Sequence, residues 1–130
     1  MKNLLVILSL FLFSFPGLNA QEGNTRQRKS GKLQERMSVY IQKKLALSKS
    51  EAEKFEPVFL RYLSELRETH RENRTDRPVL QLRIAELRVR YRDEFKQIFD
   101  EDRANRVFVH QREFEKIVRD EIRNRRRNSP

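Results

Sequence analysis

His70 and His110 are the only imidazoles in the chain, and cysteine is absent. Nucleophilic catalysis needs an activated Ser, Thr or Cys beside a base that a third group orients, and no recognisable nucleophile motif surrounds any serine. The 19 Asp and Glu residues are interleaved with arginines at spacings of three and four, the pattern of solvated pairs along a helix surface. General acid–base work also requires groups of shifted pKa gathered in a pocket, for which a small helical protein has little room. The chain therefore reads as a non-enzyme that needs no cofactor. His70 with Glu72, and His110, offer nitrogen and oxygen ligands for a metal. Neither histidine has a His partner four residues on, and His70 continues an apolar helical phase in which an imidazole packs or caps a carbonyl. No metal site is expected.

The elements that would position these groups are organised around residues 44–59. Ser48 followed by Glu51 reads as a capping box, in which the hydroxyl accepts from a first-turn amide and the carboxylate reaches back. Leu47, just before the cap, can staple against Ala52. Beyond them Phe55, Phe59, Tyr62, Leu63 and Leu66 recur at helical spacing. Upstream, Leu33, Met37, Tyr40, Ile41 and Leu45 give a first stripe that ends near Ala46. The second helix runs to about His70 or Glu72. Pro57 inside it removes one ladder bond and crowds the carbonyl of Glu53, so a kink is expected. The alternative is a stop at Glu56 and a restart at Pro57. The polar stretch 73–77 ends at Pro78, a residue suited to a helix start. A third stripe follows in Leu80, Ile84, Leu87, Tyr91, Phe95 and Ile98. Asp100 then caps a fourth helix that carries Ala104, Val107, Phe108, Phe114, Val118 and Ile122. No strand alternation of useful length appears. The expected class is all-α: four helices forming an elongated hairpin with a kinked second helix, dimeric.

Residues 1–20 carry a basic Lys2, an apolar run over 4–18 and a small residue, Ala20, where a signal peptide would be cleaved. An uncleaved anchor is the alternative, although the run is short for a membrane span. The 130 residues less these twenty leave 110, one helical domain over 32–127 between a flexible basic leader (21–31) and a frayed tail (128–130). Only Lys2 is charged in the first twenty, so the remainder has 28 basic residues against 19 acidic, a surplus of nine. Export directs that charge away from nucleic acid and toward anionic membrane surface, acidic polysaccharide or acidic protein segments.

Two side-chain patterns suggest contact surfaces. Leu82, Ala85 and Val89 lie opposite the apolar stripe of the third helix and are bordered by Arg92 and Lys96. This second apolar face is either covered by neighbouring helices or left for a dimer seam or a client. The arginines of 119–127 are either a solvated helix terminus favoured by the dipole or a tether to anionic lipid or lipopolysaccharide.

The two helix junctions, Leu47-Ser48-Lys49-Ser50-Glu51 and Phe99-Asp100-Glu101-Asp102-Arg103, resemble the twice-occurring Leu-Thr-x-x-Gln motif of the Spy/CpxP family of periplasmic helical proteins. Ser and Glu replace Thr and Gln in the first copy with the same capping capacity. The second copy keeps an apolar residue and a capping residue but has Arg103 for Gln. The flanking stretches 52–59 and 91–95 are also similar to members of that group, and the resemblance covers about 33–127. It implies a helical hairpin that dimerises into a shallow cradle. It also implies a role in envelope-stress chaperoning or in inhibiting a sensor, and some relatives handle zinc or other heavy metals. Two readings stand from it. One is an ATP-independent periplasmic chaperone for unfolded or acidic clients. The other is a regulator that binds a single membrane-anchored signalling protein.

Overall fold

The computed structural model describes residues 20–130, with side chains from Thr25 onward; the signal-peptide reading of 1–20 lies almost wholly outside that range. Four helices follow one another: α1 (Ala20–Lys44), α2 (Lys49–Glu72), α3 (Arg77–Phe95) and α4 (Glu101–Asn128), with no strand among the described residues. The protein is all-α, as its periodicities predict.

Local chemistry explains each boundary. α1 closes with Ala46 in the left-handed region at φ 50°. There Leu47 N donates to the carbonyl of Gln42 and Ala46 N to that of Lys43, the paired bonds of a Schellman cap. The next residue, Ser48, already caps α2: Glu51 N donates to Ser48 Oγ at 3.1 Å and Ser48 N to Glu51 Oε1 at 3.0 Å. α2 continues as one helix through Pro57 to Glu72, so the alternative of two separate segments is not what forms. Asp76 caps α3 by accepting from Val79 N, and Pro78 sits in the first turn, where its missing N–H leaves nothing unsatisfied. α3 stops at Phe95, so Ile98 of its predicted stripe falls in the following turn. Asp100 caps α4 through Arg103 N.

The structure corrects the expected leader. Residues 21–31 belong to α1, whose helix begins at Ala20. The segment lacks an apolar stripe but contains no proline, and its Gln, Arg and Lys residues are good helix formers that outlast two interspersed glycines. At the other end Asn128 is still helical, and Ser129 Oγ turns back to donate to the carbonyl of Arg125.

Each helix packs against two others, α1 and α3 each lying between α2 and α4. The side-chain register fixes the directions. On α2 and α3, Phe55 meets Phe95 while Arg61 and Glu65 meet Tyr91, so the two run antiparallel. On α1 and α4, Tyr40 meets Glu113 and Phe114. The core is aromatic and concentrated near the α1–α2 and α3–α4 junctions, where Phe55, Phe59, Tyr62, Tyr91, Phe95, Phe99 and Phe108 form one chain of ring contacts with Ile41, Leu45, Ala104 and Val107 around them. Offset and tilted pairs of this kind add to simple area burial. Two polar side chains are buried with it, Ser38 and Gln111: Tyr62 donates to Gln111 Oε1 at 2.8 Å, and Gln111 Nε2 donates on to Glu115. Away from the junctions the stripes thin, with Leu33, Leu66 and Val118 only partly buried and Ile122 exposed.

Candidate functional site

Both junctions lie at the same end of the molecule, and a single arginine joins them. Arg103 Nη2 stands 2.8 Å from Glu51 Oε2, and Nη1 donates to Oε1 at 3.2 Å, a bidentate pair across 52 positions of chain. Its Nε is held by Asp100, and the guanidinium lies over the Phe99 ring at 5.4 Å. Glu51 thus caps Ser48 and clamps Arg103 together. Hydrogen bonding from Arg103, and from the Ser48 N–H, pulls the Glu51 carboxyl below its ordinary value. Arg103 does the same to Asp100 through its side chain and its backbone amide. Leu47 is partly buried against the core and Phe99 fully so. The six motif positions, Leu47, Ser48, Glu51, Phe99, Asp100 and Arg103, are therefore one assembled unit, and its chemistry is that of a structural clamp.

The second candidate set lies on α3. Leu82 is 55% exposed and Val89 49%, and Ala85 is exposed between them. The other helices leave this face uncovered, which disposes of the expectation that neighbouring helices pack over it. α3 buries only Leu87, Tyr91 and Phe95. Arg92 is half-buried with its Nε lacking a hydrogen-bond partner, and Lys96 leans toward Glu101 at 3.8 Å. Acidic residues share the rim: a shallow groove of about 570 Å³ beside Val89 is lined by Ala85, Glu86, Arg90 and Asp93. The face is apolar inside a border of mixed charge.

The histidines part company. His70 is exposed near the end of α2. His110 is largely buried, its Nδ1 2.7 Å from Glu113 Oε2, the same oxygen that accepts from Tyr40 Oη at 3.2 Å. The contact with His110 lowers the Glu113 carboxyl, while burial, then the bond to Glu113, raises the Tyr40 phenol. Among the described residues no group of three His, Asp or Glu side chains is placed to hold a metal ion. No described helix is long and apolar enough to cross a membrane.

Sequence reasoning passed over a third cluster. Tyr91 Oη donates to Glu65 at 2.7 Å and accepts from Arg61 Nε at 3.2 Å, while Arg61 and Arg90 lie against its ring and pair with Glu94 and Glu65 respectively. This lattice ties α2 to α3. Only the i,i+4 spacings of Arg61 with Glu65 and of Arg90 with Glu94 are legible in the sequence. Ile122, placed by periodicity in the core, instead lies in a groove of about 440 Å³ walled by Arg119, Arg123, Arg126 and Arg127. No protein-family model, curated protein or solved structure matches this chain.

Proposed function

We propose that the protein is a non-enzymatic, exported helical binding protein of the Spy/CpxP kind. It acts in the periplasm, after cleavage at Ala20, as an ATP-independent chaperone or envelope-stress protein. In this reading it works as an elongated hairpin bent at Pro57, and pairs into a homodimer. It binds unfolded or acidic protein clients and not nucleic acid. Long-range attraction to its positive charge brings the client in, and contact with small apolar groups holds it. The observation that carries the reading is the uncovered Leu82, Ala85 and Val89 face of α3, flanked by Arg92 and Lys96. Exposed apolar surface with a polar border marks an interaction site. The absence of any nucleophile–base pairing in the sequence supports a binding role over catalysis. Purified protein is expected to suppress aggregation of chemically denatured clients, with weaker capture in high salt as charge attraction is screened. No suppression at several-fold molar excess over several clients would remove this reading.

The mixed border of the same face, with Glu86 and Asp93 beside the basic groups, supports a second reading. An alternating charge pattern suits one patterned partner, as a regulator of a membrane-anchored signalling protein responding to metal or envelope stress would require. Affinity isolation from the native envelope separates the two: one stoichiometric partner favours the regulator, and a broad mixture favours the chaperone.

A further inference from the structure

We infer that the end of the molecule where α1 begins and α4 finishes is a docking surface for an anionic phospholipid membrane. The register of α1 and α4 is antiparallel, fixed by Tyr40 against Phe114 and by Glu51, just past α1, against Arg103 at the start of α4. It brings residues 25–39 and 115–127 into the same half of the bundle at 1.5 Å of rise per residue. Arg67 of α2 reaches Ser30 at 3.5 Å in that half. α1 contributes Arg26, Arg28, Lys29, Lys32 and Arg36. α4 contributes Lys116, Arg119, Arg123, Arg125, Arg126 and Arg127. Against these eleven stand four acidic residues, Glu35, Glu115, Asp120 and Glu121, a surplus of seven out of the chain's ten. At the opposite end, residues 43–56 and 93–106 hold seven basic groups and eight acidic ones. Among the described residues every ion pair falls between residues 51 and 113. None of these ion pairs involves a charged residue of 25–39 or 115–127.

Dipole compensation does not account for the arrangement. That effect fades within the last turn of a helix, whereas Arg119 and Arg123 stand further back, and the α1 residues lie in the half of a helix where positive charge gains nothing. The apolar component points to lipid rather than to a soluble polyanion. Ile122 is 46% exposed and Ile117 42%, and Ile122 lies between arginine stems that can cover apolar surface while their heads reach phosphate. A nucleic acid would find no aromatic ring for stacking at this end, since 20–32 and 115–130 contain none. The inference goes beyond the reading above, taking up the basic α4 terminus of the sequence, and does not depend on client holding.

Co-sedimentation of the purified protein with vesicles of phosphatidylcholine, alone or mixed with phosphatidylglycerol, tests it. Binding is expected only with the mixed vesicles and should weaken with salt. Each basic residue near such a surface contributes roughly fivefold. Replacing Arg123, Arg125, Arg126 and Arg127 by Gln should thus lower partition on the order of a hundredfold or more, with helical circular dichroism retained. Ile122→Ser should lower it severalfold, and Lys43→Gln with Lys44→Gln at the far end should leave it unchanged. Equal binding to neutral vesicles, or an arginine variant that binds like the parent, overturns the proposal. So does indifference to Ile122→Ser together with displacement by duplex DNA or polyphosphate, which would make the end a general polyanion site. The aggregation assay beside the vesicle assay on the parent keeps the two readings apart. Vesicle binding without client protection in the parent removes the chaperone, and protection without vesicle binding removes the docking surface.

Discussion

Arg103 stands where the sequence departs from the Leu-Thr-x-x-Gln pattern, and it makes the contact that a capping residue alone cannot. Ser48, Glu51 and Asp100 were legible because a cap is read within four residues. The bond from Arg103 to Glu51 was not, because nothing local relates two positions 52 residues apart. The clamp has a pH signature whose sign follows from its carboxylates. Glu51 and Asp100 are held below their ordinary values of 4.5 and 3.8, chiefly by Arg103. A group depressed in the folded state contributes stability that is present above its unfolded pKa and lost as pH falls through its folded one. Stability conferred by the clamp is thus complete near neutrality and declines below about pH 4.5. Arg103→Gln should lower the melting temperature by a few degrees at pH 7, and the gap between variant and parent should narrow on acidification. Melting curves between neutral pH and pH 3 check this, and a gap that stays constant would mean that the arginine acts by packing on Phe99 rather than by charge.

At the scale of the element, periodicity located α2, α3 and most of α4, because each carries a stripe that must face an aromatic core. It failed where a helix has no face to bury. Residues 21–31 show no stripe and read as a leader, yet they form the first turns of α1, extended from the docked half by good helix formers. It also overran at α3, where Ile98 keeps the phase but the backbone has already turned. The helical state of this segment is open to a direct test at Gly31. An added Cβ there would meet nothing within 4 Å, and no glycine among the described residues has positive φ. Gly31→Ala should therefore stabilise the protein by roughly 0.5–1 kcal/mol, through reduced freedom of the unfolded chain and better helix propensity. Chemical denaturation with circular dichroism measures it. An unchanged midpoint would show that residues near Gly31 are not held as helix in solution.

For the whole molecule, the distribution of surface decides assembly. Four antiparallel helices enclose one aromatic core and leave Leu82, Ala85 and Val89 uncovered on α3. That face was legible from its position opposite the main stripe, but its exposure was not, since a sequence cannot say how many neighbours a helix has. A two-fold antiparallel pairing along α3 is the simplest closed way to cover it. The charge distribution agrees with that geometry. Antiparallel mates place each strongly basic end beside the partner's nearly balanced junction end, whereas parallel mates would bring two surpluses of seven together. It also leaves the two basic ends at opposite extremes of the dimer. Because Leu82 and Val89 are half exposed in the single chain, replacing both by Glu removes little intramolecular packing. The double variant should remain helical and melt near the parent, but sediment as a monomer where the parent sediments as a dimer. Analytical ultracentrifugation at several protein concentrations reads this directly. A variant that still dimerises places the seam on another face, and a variant that unfolds means that these side chains serve the fold of their own chain.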